Sequence, residues 1–302
     1  MVQSAAMRSN VATILLITAL AACDGGAKSG DGDGDVDVDA DVGAPAAFIP
    51  QPTGVCPPLV NGDVTFAPAG VPPRKVRLAF TEGGAAGPSL LYWHATGSAV
   101  EEADYALGAT KAAMIASGTF IAAPYSDDAA GQFEWWIVNQ STRQDDFLVA
   151  DEVVGCLAQA GRIDTRRIHV MGMSAGALQT TAMSLFRSSY VASVVTFSGG
   201  IPAQFTPPPL DPGNLFAALI FHGGASDNAF STDFRMASET YRSMLTAAGH
   251  YTAVCDHGNG HTIPRDAAPA VAQFFADHPF GQTPSPYAAA GLPASFPAYC
   301  AR

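Results

Sequence analysis

Lysine is almost missing: the 302 residues hold three, and the fifteen basic side chains gather nowhere into a cluster. A chain without a basic stripe lacks the electrostatic footprint of a nucleic-acid binder. Cysteine is sparse too, and none of the five cysteines stands at zinc-site spacing. The longest apolar run, Val11 to Ala22, falls short of the ~20 residues that a membrane-spanning helix needs. No internal repeat is present, which excludes solenoids and propellers.

What the short run does suit is the apolar region of an export signal, with Arg8 ahead of it. It ends in Leu20-Ala21-Ala22-Cys23, which resembles the lipobox of bacterial lipoproteins, where the cysteine is acylated and becomes the new N-terminus. The expectation is a signal peptide over 1–22 with lipidation at Cys23; an ordinary signal peptide with an incidental cysteine, or a plain membrane anchor, is the alternative. Either way the chain is expected to be exported. It would be held at a membrane in the periplasm or at the cell surface, or released.

Between Asp24 and Asp41 seven aspartates and one lysine carry −6 of the chain's −12. Self-repulsion and the lack of bulky apolar groups prevent a core there, so 23–52 is predicted to be an acidic, solvated tether. Its Asp-x-Asp-x-Asp opening at Asp31 imitates a calcium loop, but the position requiring glycine holds Val36 and the twelfth holds Val42. No metal site is expected.

Residues 53–302 are enough for one large domain with a substantial core. Short apolar runs alternate with helical patterns. Strands are predicted at 75–80, 89–94, 119–124, 168–173, 193–198, 217–222 and 252–255, and helices near 101–117, 146–160, 175–187, 234–248 and 266–276. The runs show no strict in-out alternation, as in strands buried on both faces, and alternation of strand with helix implies a mainly parallel sheet with helices on both sides. The four remaining cysteines, Cys56, Cys156, Cys255 and Cys300, suggest two disulfides with three connectivities open.

The stretch "HVMGMSAGALQTT" places Ser174 between a predicted strand and a predicted helix, flanked by Gly172 and Gly176. A strained turn of this kind lifts a serine hydroxyl above the sheet, beside helix amides able to stabilise an oxyanion. Glycine makes up 30 of the 302 residues, so the pentapeptide alone is a weak signal. Its context is stronger, because "FHGGASDNAF" and "CDHGNGHTIP" follow later strands and supply Asp227 and His261 in the order Ser, Asp, His. His257 competes with His261 as the base, and Asp211 and Asp233 compete with Asp227; the later loop position and the following Thr-Ile-Pro favour His261. His222 is expected to shape its turn and is assigned no chemistry.

"WHATGS", "QDDFLVADEVVGC", "RIDTRRIHVMGMSAG", "FHGGASDNAF" and "GNGHTIP" together resemble the secreted α/β-hydrolase esterases grouped with polyhydroxybutyrate depolymerases, feruloyl esterases and acetylxylan esterases. The resemblance implies an α/β-hydrolase fold and a serine esterase in which Ser174 attacks, His261 is the base and Asp227 orients it. It further implies an oxyanion hole made by the amides of Ala175 and Thr96, although Ala95 replaces the glycine usual after His94. Trp135 and Trp136 in "FEWWIVNQSTRQDDF" would stack on the acyl group, or one of them would be buried in the core. Asp145 and Asp146 read as helix-capping acids. No cofactor is implied, and the partner is a small-molecule or polymeric ester met by a monomer. A small serine peptidase and a non-catalytic ligand-binding lipoprotein on the same fold are the rival readings.

Overall fold

A computed structural model describes residues 46–301; the expected signal peptide, Cys23 and most of the segment expected to be an acidic tether lie outside them. Eleven strands appear in the order β1 (Gly62–Phe66), β2 (Arg74–Ala79), β3 (Gly87–Trp93), β4 (Phe120–Pro124), β5 (Ile163–Met173), β6 (Ser193–Phe197), β7 (Ala217–His222), β8 (Asn228–Ala229), β9 (Thr232–Asp233), β10 (Thr252–Asp256) and β11 (Cys300–Ala301). Nine of them form one sheet, ordered β1-β2-β4-β3-β5-β6-β7-β10-β11, and β8 pairs with β9 as a separate hairpin. The pairings from β4 through β3, β5, β6 and β7 to β10 are all parallel. Within this sheet the antiparallel pairs lie toward the edges, β1 on β2, β2 on β4 and β11 on β10.

All seven predicted strands are present. The apolar runs of the parallel strands are buried on both faces because helices cover both sides of the sheet, whereas β2, near the edge, alternates, with Lys75 exposed and Val76 and Leu78 buried. Leu91, Trp93, Val170 and Ile220 face a core that also takes residues from α3 (Asp145–Gln159), α4 (Ala175–Phe186) and α5 (Phe234–Ala247). Leu90, Tyr92, Met171 and Phe221 point the other way, into a core shared with α1 (Glu102–Leu107), α2 (Thr110–Ala116) and α6 (Ala268–Asp277). The helix predicted over 101–117 is thus two helices. Gly108 breaks it by adopting φ 49° while its amide donates back to the Asp104 carbonyl, a conformation that glycine reaches without a Cβ penalty. A short α7 (Tyr287–Ala290) completes the helices.

Two disulfides resolve the open pairing: Cys56 joins Cys156, and Cys255 joins Cys300. Such bonds form and persist in an oxidising compartment. No described helix is long and apolar enough to cross a membrane. The first disulfide is one of several ties between α3 and the start of the described chain. The buried Glu152 carboxylate accepts from the Thr53 amide (2.7 Å), the Thr53 hydroxyl (3.0 Å) and the Gly54 amide (2.9 Å). A Cβ on Gly155 would lie 2.7 Å from the Pro50 carbonyl oxygen, so only glycine lets the segment lie this close. Ala47 and Ile49 pack on the same core and the Phe48 amide donates to the Ser189 carbonyl, which puts packed chain ahead of the boundary expected at 53.

Candidate active site

β5 lies at the centre of the sheet, and Ser174 follows directly where the chain turns into α4. Its backbone sits at φ 55°, ψ −119°, a region that costs a non-glycine residue on the order of 1–3 kcal/mol and survives only where its surroundings enforce it. They do so here by crowding. A Cβ on Gly176 would fall 1.9 Å from the Trp93 carbonyl oxygen, and one on Gly172 would fall 2.5 Å from both that oxygen and the Gly176 oxygen. The Ser174 amide is also held, donating to the Phe197 carbonyl at 2.9 Å.

Asp227 follows β7 after a 3₁₀ turn, Gly224–Ser226, and its side chain is entirely buried. One carboxylate oxygen accepts from the Gly223 amide and from the Ser198 hydroxyl, each at 2.8 Å. The other meets His261 Nδ1 at 2.7 Å. Burial pushes this carboxyl up, but the bonds from His261, Gly223 and Ser198 outweigh it and leave it below the usual aspartate value. Ser198 itself takes φ 52°, a second strained serine spent on holding the acid.

His261 comes from the loop after β10. Its Nε2 lies 2.8 Å from Ser174 Oγ, and its ring packs on Phe234 with centroids 4.5 Å apart. An ionised carboxylate can only accept, so Nδ1 carries the proton and Nε2 is free to accept from the serine hydroxyl. The competitors lie elsewhere. His257 Nδ1 accepts from the Asn259 amide and its ring faces Tyr299. Asp233 caps α5 through the Met236 amide, and Asp211 accepts from the Gly213 amide. His222 Nδ1 accepts from the Gly224 amide, shaping its turn as expected.

The segment after β3 carries Thr96 to the wall of the same cavity that Ser174 and Ala175 line. Ala175 opens α4, where amides have no intrahelical acceptor; among the described residues neither its amide nor that of Thr96 has a protein partner. The loop is positioned by carboxylates that sequence reasoning missed. Glu102 accepts from the Ala95 amide (3.0 Å) and the Tyr92 hydroxyl (2.9 Å), and Glu134 accepts from the Gly97 amide (3.3 Å). Their sequence positions gave no signal, because an acid in the first turn of a helix, like Glu102, or in a loop, like Glu134, is ordinary.

The tryptophan pair is not where stacking on substrate would need it. Trp135 is completely buried, edge-on to Trp93 with centroids 5.0 Å apart, and its indole N–H supports the His94 carbonyl at 2.9 Å. Trp136 is covered by the Arg143 guanidinium, 3.7 Å from its ring. Neither lines the cavity. The capping assignment also needs correction: Gln144, at the N-cap, makes no side-chain cap. The Asp146 carboxylate instead accepts from Arg74 (3.0 Å) and the Trp136 amide (2.7 Å), and Asp145 pairs with Arg143. Burial pushes Asp146 up to about 6 against the pull of Arg74.

The cavity itself holds about 600 Å³, a volume usual for small-molecule sites. Its aromatic wall comes from Phe133, Phe186, Phe205, Phe230 and Phe234, which are scattered along the chain and form no motif.

Neither a comparison with protein-family models nor one with curated proteins finds a match. Solved structures do resemble the chain. A crystal structure of native sOPH superposes with a TM-score of 0.64 over 84% of this chain and 96% of that one, at 16% identity. A thermostable esterase gives 0.51 at 15% identity, over 66% of this chain and 54% of that one. An acylaminoacyl peptidase of Pyrococcus horikoshii gives 0.53 at 14% identity, over 72% and 41%. At these identities the likeness is one of architecture: the chain has the α/β-hydrolase fold.

Proposed function

We propose that the protein is a serine hydrolase of carboxylic esters that works through an acyl-enzyme. The observation that carries the reading is the unbroken chain from Ser174 Oγ through His261, at 2.8 and 2.7 Å, to a buried and fully hydrogen-bonded Asp227. In this reading His261 Nε2 takes the proton from Ser174 as its oxygen attacks the ester carbonyl. Asp227, kept ionised by three donors, holds the imidazole and offsets the charge that it gains. The carbonyl oxygen becomes an oxyanion beside the amides of Thr96 and Ala175, two donors with no competing protein acceptor. His261 then returns its proton to the departing alcohol. Water, activated by the same imidazole, hydrolyses the acyl-enzyme.

Lipidation at Cys23 and an acidic tether running up to the domain form part of the proposal, and would hold the domain at a membrane surface where it acts as a monomer on polyester, feruloyl or acetyl esters. The test is turnover of p-nitrophenyl acetate and butyrate by the domain, beside Ser174→Ala and His261→Ala. Each variant is expected to lose roughly 10⁴-fold or more in kcat. Full activity in Ser174→Ala overturns the reading, and cleavage of a peptide amide without ester turnover replaces it with a peptidase.

A further inference from the structure

We infer that the cavity beside Ser174 is a groove for an extended, uncharged, apolar acyl chain, laid along α4 from the reactive serine toward Phe186. The inference rests on the proposed role of Ser174 for which end of the groove is reactive. Helix α4 is buried along its length except at Leu178 and Phe186, which are half-buried. Ala175, Leu178, Ala182 and Phe186 fall on one side of a helix, and all four line the cavity. At 1.5 Å per residue the stripe runs roughly 16 Å, which an extended chain covers in about a dozen bonds.

The lining settles the character of that chain. No residue of the cavity wall carries a charge; its polar members, such as Gln140, Thr142 and Gln204, are neutral. A charged chain would lose hydration there without gaining a partner, so the groove selects against it. Phe133 and Phe230, from two separate loops, meet edge to face at 5.4 Å, and both line the cavity.

The position of His261 decides which half of an ester enters. His261 must lie against the leaving oxygen to protonate it, yet it is not part of the cavity lining. The alcohol therefore departs on the His261 side, outside the groove, and the acyl group remains within it. Ala182 lies between Leu178 and Phe186 with only a methyl group, so a bulky side chain there would close the far half.

The experiment is a p-nitrophenyl ester series from acetate to dodecanoate, with kcat/KM measured on the wild type, Ala182→Phe and Phe186→Ala. In the wild type kcat/KM is expected to climb with acyl length to about the decanoate, each buried methylene contributing up to ~4-fold. Ala182→Phe should lower the decanoate-to-acetate ratio by at least ~10-fold, whereas Phe186→Ala should move the optimum to longer chains. Opposite shifts from two variants cannot arise from poor folding. A profile that is flat or falls with length in the wild type, or a ratio untouched by Ala182→Phe, overturns the groove while leaving the esterase reading intact. Equilibrium binding to Ser174→Ala separates the remaining case. Decanoate ester bound at least ~10-fold tighter than acetate ester supports the groove even if no ester is hydrolysed, and equal binding overturns it.

Discussion

Gly223 and Gly260 touch backbone to backbone. The Gly260 amide donates to the Gly223 carbonyl at 2.9 Å, and a Cβ on Gly223 would fall 1.9 Å from the Gly260 oxygen. One of these glycines heads the turn to Asp227 and also donates to its carboxylate; the other immediately precedes His261. The contact sets the spacing between acid and base. Gly223→Ala should push the two loops apart and lower kcat by about 100-fold, the usual penalty for ~1 Å of misplacement. Steady-state kinetics beside a melting curve checks this, and an unchanged kcat would show that the loops are set independently.

Glu102 offers a second handle on the proposed oxyanion loop. Glu102→Ala leaves the Ala95 amide and the Tyr92 hydroxyl without their acceptor, a loss on the order of 1.5–3 kcal/mol for each charge-assisted bond. If the loop carries an oxyanion donor, kcat should fall 10- to 100-fold while KM changes little. Glu102→Gln keeps an acceptor oxygen and should restore most of the rate.

Acid sensitivity is written into buried histidines. His169, in β5, bonds Ser193 and stacks on Phe275. Burial, reinforced by the positive charges of Arg167 and His278, lowers its pKa from 6.5 to about 3. Between those values the unfolded chain binds the proton and the native state does not. Stability is therefore complete above pH 6.5 and declines as pH falls toward 3, by at most ~1.4 kcal/mol per pH unit from this group. His250, His257 and His278 are lowered in the same direction by burial. Urea denaturation at pH 7.5 and pH 5 should show the loss, with a smaller difference in His169→Gln. The same difference in both proteins would assign it to other groups.

The bond between Cys56 and Cys156 closes a loop of 100 residues, for which chain entropy gives on the order of 4–5 kcal/mol. Replacing both cysteines by serine should lower Tm by roughly 10 °C, read by calorimetry, with ester turnover at 25 °C retained because neither cysteine lines the cavity. A shift of under a few degrees would show that Glu152 and the packed prolines already hold the segment.

The parallel strands were legible because six or so consecutive apolar residues have little alternative to burial between two helical layers. β1 was not: only Val64 and Phe66 of its five residues point inward, too little pattern beside flanking Gly and Pro. β11 is two residues long and is held by a covalent bond to its neighbour, which no local pattern announces. Ser174, Asp227 and His261 could be read because each follows a legible strand, and the fold brings those strand ends together. The cavity wall could not. Leu178, Ala182 and Phe186 look like any buried helix face, and Trp135 advertises a ligand contact while serving as a floor under the His94 carbonyl.

The docking of residues 47–56 against α3 has a mechanical side. A pull applied at the start of the described chain meets the Phe48–Ser189 hydrogen bond first, then the triple clasp of Glu152 on Thr53 and Gly54, and then a covalent stop at Cys56. Load beyond that point passes into α3 and not directly into the hydrogen-bonded ladder of the sheet. Drag on the N-terminal side would thus peel, at most, the residues up to Cys56, and the central strands that set Ser174 against His261 would feel it last.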